Sequence, residues 1–406
     1  MENIPNLDDD LHHGPAHADP TLRRPSLPRR DGQGRRRSWG TALLVLISSI
    51  SACGGIARQP VDNADSSPPT SETVPPVESS RVREGSQPVR AGTFDLDVVG
   101  EASGLARSVR NPGITYVLDD GPGSTGVVAV AGGSAPTTEV HVEGLDGRDT
   151  EGLAVAPCGS GTERSCLYIG DIGNNQQAWT SVRVWRVPEP PLDEAPSALL
   201  VDGDVATYTY PDEPVDAEAL LLEDGLPFLV TKERGSDVQE APPPRLLGAT
   251  AFADGALRDL GAIALPEPAS GGFAGAFFGN VVTGGEAVGG LVVLRTYDHV
   301  LVYQPPSRGA DLSTLATWVP REIDTPLLGQ AEAVTADHCG LWLTSEGVDS
   351  IWLVPADLPL TSKRNEAPHT PAEELDQKDE EQVCPTGSVR SSPARPAASE
   401  RPSPGS

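Results

Sequence analysis

The stretch VDAEALLLEDGLPFLVTKERG, residues 215–235, carries a carboxylate, Glu218, at the head of an apolar run that otherwise reads as a buried strand. A charge in that position is costly unless something compensates for it. Yet the phrase recurs as DTEGLAVAP at 149–157, as QAEAVTADHCGLWLTSEG at 330–347 and, with Ser in place of the acid, as EASGLARS at 101–108. In each, a polar residue stands directly before Gly-Leu, Ala-Leu or Ala-Val. Taking that residue as an anchor gives Ser103, Glu151, Glu218 and Glu332. The interval from 218 to 332 has room for one more unit, and NVVTGGEAVGGLVVLRTYDHVLVY (280–303) fills it. Counting back from its Gly turn puts Thr283 at the anchor, with Glu286 as the rival alignment. The anchors are then 48, 67, 65 and 49 residues apart.

Between anchors the apolar residues come as short runs rich in Val, Ile, Tyr and Trp, such as ITYVLDD, CLYIGDI, VRVWRVPE and SIWLVPA, punctuated by Gly, Pro, Asp and Asn. That is strand patterning, and no helix asserts itself. Units of about 50 residues holding about four strands must stack on one another to bury both faces, which is the layout of a β-propeller blade. The expected fold is therefore all-β, a single propeller of five blades. The two long spacings leave a sixth open, built from irregular runs such as GGFAGAFFGN (271–280). The last unit shows three clear strands, so TFDLDVVG (93–100) is expected to complete it and close the ring.

The propeller is expected over 92–362, some 270 residues, enough for one large domain. Residues 53–91 are rich in Pro, Ser, Thr and Glu and read as a disordered linker, as does the tail 363–406, acidic and then Pro/Ser-rich. Residues 1–52 read as a signal peptide with a long polar n-region. Arginines at 35–37 precede the apolar stretch WGTALLVLISSI (39–50), which is too short to span a bilayer. Ile50-Ser51-Ala52-Cys53 resembles a bacterial lipobox, which makes Cys53 the expected lipid attachment site. The expectation is an exported, membrane-anchored protein on the outer face of the cytoplasmic membrane. Beyond residue 52 the chain carries 23 basic and 52 acidic side chains. That excess disfavours nucleic acid as a partner and favours cations and a monomeric state. In an oxidising compartment Cys158 can pair with Cys166 across a short loop, and Cys339 with Cys384. Neither pair has zinc-site spacing with His.

The first strand of a propeller blade lines the central channel, so the five anchors should converge. Three carboxylates and two hydroxyls in a narrow space form an oxygen-only set suited to Ca²⁺. Ser103, Glu151, Glu218, Thr283 and Glu332 are thus candidate metal ligands, the alternative being a purely structural polar ring. The second strands end in Asp119-Asp120, Asp171, Lys232-Glu233, Arg295 and Glu346. Lys232 is the only lysine within 92–362. Lys232 and Arg295 can hold an anionic group above a metal, or neutralise Asp171 and Glu346. GDIGNNQ (170–176) is explained by turn chemistry. His141, His299 and His338 stand in no motif, and the chain has no nucleophile elbow, P-loop or dinucleotide-binding glycine signature.

These phrases resemble actinobacterial exported β-propeller lipoproteins of unassigned role, over nearly all of 92–360. More distantly, the anchor series Ser, Glu, Glu, Thr, Glu and the run YVLDDGPGSTGVVAV (116–130) are similar to the calcium-activated nucleotidases, or apyrases. That resemblance implies five blades, Ca²⁺ on the anchors, and Asp119 and Asp120 near substrate. The family's basic pair is here Lys232-Glu233. Two functions follow. One is a surface propeller that binds a small anionic ligand or a protein, with a cation in its channel. The other is a Ca²⁺-dependent hydrolase of phosphate esters, anhydrides or lactones, with Asp119 or Asp171 as base and Lys232 and Arg295 stabilising charge.

Overall fold

The computed structural model describes residues 81–361 apart from 84–85, 134–136, 194, 235–240, 268–278, 308, 324 and 326–330, together with 384–385. Cys53, the leader, and most of the linker and tail lie outside the described residues.

The described chain is a five-bladed β-propeller. Five separate antiparallel sheets follow one another, each beginning with an inner strand and running outward. The inner strands are Ala102–Arg107, Thr150–Pro157, Ala217–Glu223, Val282–Val288 and Ala331–Asp337. The second strands are Thr115–Asp119, Ser165–Asp171, Leu226–Thr231, Leu291–Thr296 and Gly340–Ser345. Among the described residues no sixth sheet occupies the long spacings. In the first of them the chain returns to place Ala198–Val201 in parallel against Thr138–Val142, widening blade 1 at its edge. In the second, Gly255–Ala256 pairs in parallel with the outer strand of blade 2, Asp204–Thr209. The run 271–280 lies largely outside the described residues.

The ring closes through an N-terminal strand, but not the one expected. Val89–Thr93 and Arg81–Val82 both pair with Ser350–Asp357, the third strand of blade 5. Of TFDLDVVG only Thr93 belongs to the strand, and the residues after it turn toward blade 1, with Val98 N and Val99 N donating to Asp95 O. Strands upstream of position 92 thus belong to the ring. VRAGT is short and weakly apolar, so its pairing is legible only beside the edge it completes.

The core is divided among the seams between blades. Five clusters of buried apolar residues correspond to five seams, for example Tyr168, Val184, Leu220 and Leu247 between blades 2 and 3. Leu118, Leu153, Ile169 and Trp185 fill the seam between blades 1 and 2. Glu189 pins that seam with a buried carboxylate. It accepts from Ser165 Oγ at 2.6 Å, Arg110 N at 3.0 Å and Tyr116 Oη at 3.2 Å, and also from Ser108 Oγ.

The Gly or Ala after each anchor has a packing reason. A Cβ on Gly104 would lie 2.7 Å from Leu153 Cβ, and one on Gly152 would lie 2.4 Å from Leu220 Cβ. A five-membered ring brings neighbouring inner strands that close. The structure also joins Cys158 to Cys166 and Cys339 to Cys384.

Candidate functional site

Each of the five anchors occupies a β-bulge. The register with the second strand slips between Ala102 and Gly104, Thr150 and Gly152, Ala217 and Ala219, Val282 and Gly284, and Ala331 and Ala333. The residue skipped is Ser103, Glu151, Glu218, Thr283 or Glu332. A bulge leaves one residue unpaired in the ladder and re-aims its side chain. The bulge marks Thr283, not Glu286, as the equivalent position in blade 4.

Four of the five anchors, Ser103, Glu151, Glu218 and Glu332, line one cavity of about 210 Å³ at the channel mouth. Thr283 does not. Its Oγ1 donates to Ala331 O at 2.6 Å, and Ser103 Oγ donates in the same way to Thr150 O at 2.8 Å. Both hydroxyls thus bond the carbonyl that precedes the next blade's anchor.

A second tier comes from the residue just past each second strand. By register these are Asp120, Ile172, Lys232, Tyr297 and Glu346, and all but Ile172 line the cavity. A third tier lies two residues before each anchor in the first three blades, as Glu101, Asp149 and Asp216. Glu101, Asn175 and Arg234 complete the polar wall.

The expected catalytic residues fare unequally. Lys232 is in the cavity, where its Nζ donates to Glu218 Oε1 at 2.7 Å. Asp171 is not. It is buried, and it accepts from the Arg148 and Arg183 guanidinium groups and from the backbone N–H groups of Arg148 and Asp149. Asp119 Oδ1 caps the backbone N–H groups of Gly100 and Glu101. Arg295 pairs with Gly284, one step deeper than the tier assigned to it. It is fully buried and gives one hydrogen bond, Nη1 to Thr325 Oγ1 at 2.9 Å, and its Nε has no partner among the described residues. Burial pushes its pKa down to about 10, against the pull of Glu332. The place given to Arg295 at the channel mouth belongs to Tyr297, whose Oη donates to Glu332 Oε1 at 3.4 Å.

The electrostatics are those of an acidic chamber with too few cations. Burial, then Glu218 and Asp120, raise the Glu151 carboxyl well above its ordinary range. Burial and the adjoining Glu101 carboxyl push Asp120 up to about 9. Glu332 rises to about 7 through burial, partly offset by Lys232. Burial alone would lower the Lys232 ammonium, but Glu218, Tyr297, Glu332 and Glu151 hold it well above its usual value. Below the cavity, Glu286 of blade 4 reaches across the channel to Thr335 Oγ1 of blade 5 and Val155 N of blade 2. Burial raises its pKa to about 8.

Oxygen atoms of Asp120, Asp149 and Glu151 lie within 4.8 Å of one another. Glu151 is 5% exposed and faces the cavity, and no described residue donates a hydrogen bond to it. Asp120 stands against a second carboxyl, Glu101, a contact that requires a proton or a cation between them. This all-oxygen donor set fits a hard divalent cation, since Ca²⁺ takes six to eight oxygens. Asp149 was not among the candidate ligands. The signal for it was in the sequence, in the acid-x-acid phrases Asp149-Thr150-Glu151 and Asp216-Ala217-Glu218.

No family model matches this chain, and no curated protein matches it. Among solved structures it is similar to the PQQ-bound aldose sugar dehydrogenase from Streptomyces coelicolor, at 15% identity over 70% of this chain and 100% of that one, with a TM-score of 0.36. It is also similar to an α-L-arabinofuranosidase from Lactobacillus brevis, at 10% identity over 64% and 91%, with a TM-score of 0.35. These likenesses are too remote to carry an argument about this chain.

Proposed function

We propose that this propeller is an exported, lipid-anchored binding module that holds a divalent cation, Ca²⁺ by the hardness of its ligands, at the mouth of its channel. The observation that carries the reading is Glu151, a buried carboxylate aimed into a polar cavity with no donor among the described residues, beside Asp120 and Asp149. Those three are the proposed ligands. Glu332 and Ser103 stand around the same cavity, while Glu218 is engaged by Lys232. Two disulfides support export to an oxidising compartment.

Binding is favoured over hydrolysis because the acids and bases that hydrolysis would use are already taken. Asp171 holds two arginines, Asp119 caps a turn, Lys232 is paired and Arg295 is buried away from the cavity. The test is thermal. The protein is stripped with chelator and its Tm followed against Ca²⁺ and Mg²⁺. A cation at 100 times its Kd that binds only the native state adds about 2.7 kcal/mol. A Ca²⁺-specific rise in Tm that Glu151→Gln removes is expected. No rise with either metal defeats the reading.

A further inference from the structure

We propose that a second cavity, at the opposite end of the blades from the channel-mouth acids, binds a small neutral aromatic molecule, with the disulfide-tied C-terminal segment as part of its wall.

The cavity has a volume of about 160 Å³ and lies in the seam between blades 5 and 1. Arg107 ends the inner strand of blade 1 and Thr115 opens its second strand, and both line the cavity. Ser103, which lines the channel-mouth cavity, stands near the other end of that inner strand. Val130, Trp342 and Ile351, buried members of the apolar cluster of this seam, form the wall. The C-terminal segment reaches the same place. Cys384 packs against that cluster and is joined to Cys339 across 45 residues, and Cys339 and Pro385 both line the cavity.

A cavity of this size lowers stability through the contacts its lining forgoes. The chain has a residue that could reduce it. A Cβ on Gly132, a lining residue outside the left-handed region, would meet only Ala91 O, at 3.8 Å. Gly132 is therefore not imposed by turn geometry or by close packing, and it keeps the space open.

The wall selects the ligand class. A dry apolar cavity of about 150 Å³ takes one benzene, so this volume suits a single small ring system. No carboxylate lines it, which disfavours organic cations. Its one guanidinium is already committed. Arg107 Nε donates to Asp337 Oδ2 at 3.0 Å, and Nη1 to Thr115 Oγ1 at 2.6 Å. An anion would have to compete with Asp337 for that charge. The Trp342 indole and the Cys339 sulfur favour an aromatic over an aliphatic guest.

The experiment is calorimetric titration of the full chain, disulfides intact, with indole and benzofuran, and with benzoate and benzylammonium as charged counterparts. One-to-one binding of a neutral probe is expected, and none of either ion. Gly132→Ala should weaken binding and Gly132→Leu should abolish it. Should Gly132→Leu fail to melt cooperatively, Gly132→Ala decides. The Cys339→Ser, Cys384→Ser double variant should weaken binding by about tenfold, as expected for losing one wall side chain's apolar contact. Failure of both neutral probes to bind overturns the inference, as does binding unchanged in the Gly132 variants. Preference for benzoate or benzylammonium overturns the neutral class, and binding unchanged in the double cysteine variant overturns the role of the C-terminal segment. Binding that appears only after Val383→Ser and Val389→Ser, made in the full chain, assigns the cavity to the chain's own tail and overturns the inference as well.

Discussion

Lys232 Nζ lies 2.7 Å from Glu218 Oε1, and the two side chains are 6% and 1% exposed. This ion pair sits on the channel wall with Glu332 and Glu151 as further carboxylate neighbours of the same ammonium. Removing one partner of a buried pair leaves a charge without compensation and costs about 3–5 kcal/mol, whereas removing both is often nearly neutral. Lys232→Met should therefore lower stability by about that amount. Adding Glu218→Gln should recover most of the loss. Urea unfolding of the two variants checks it, and equal losses in both would contradict the pairing argument.

The channel acids set the pH dependence. Asp120, Glu151, Glu286 and Glu332 are all raised in the folded state. The native protein therefore binds more protons than the unfolded chain, and this contribution is full below the ordinary carboxylate range and lost as pH rises toward 7–9. Metal-free Tm should fall between about pH 5 and pH 9. Saturating Ca²⁺ should flatten the decline by replacing those protons. A metal-free Tm that rises across this range would refute the assignment.

Glu286 separates the structural acids from those of the cavity. It crosses the channel to two other blades, and Thr335 and Val155 satisfy its oxygens. Glu286→Gln keeps an acceptor and removes the ionisable group. It should raise metal-free Tm at pH 9, leave it little changed at pH 5, and leave Ca²⁺ affinity unaltered in calorimetry.

The two disulfides close loops of different size, with separations of 8 and 45 residues. On chain-entropy grounds the first contributes about 2.5 kcal/mol and the second about 4 kcal/mol. A Cys339→Ser, Cys384→Ser double variant should melt lower than a Cys158→Ser, Cys166→Ser one, as read by calorimetry under oxidising conditions.

Ring closure is tested by truncation. A chain beginning at residue 80 retains Val89–Thr93 on blade 5, and one beginning at 94 does not. The shorter chain should lose cooperative unfolding and show a broadened melt, because the third strand of blade 5 is left with an open edge.

Part of the site could be read from the chain because repetition is a linear property. Equivalent residues at each blade's start, Ser103, Glu151, Glu218, Thr283 and Glu332, stand out by the small residue that follows them, and the structure places every one at a bulge. The second tier was legible in part, since Asp120, Lys232 and Glu346 were named at strand ends and line the cavity. Asp119, Asp171 and Arg295 ended strands as convincingly but do not line it, and in blade 4 the cavity uses Tyr297. Adjacent residues on a strand point to opposite sides, so an error of one exchanges cavity for core.

Periodicity and composition alone determined that the chain is all-β, built of about five similar units, and acidic. These follow from which side chains can be buried and how often the pattern returns. Only the tertiary structure decided which strand closes the ring, that Lys232 is committed to Glu218, and that Asp149 joins Asp120 and Glu151 around one point. Those facts depend on distances across the channel between residues far apart in sequence. Such distances are set by how tightly five inner strands pack, and no local pattern encodes them.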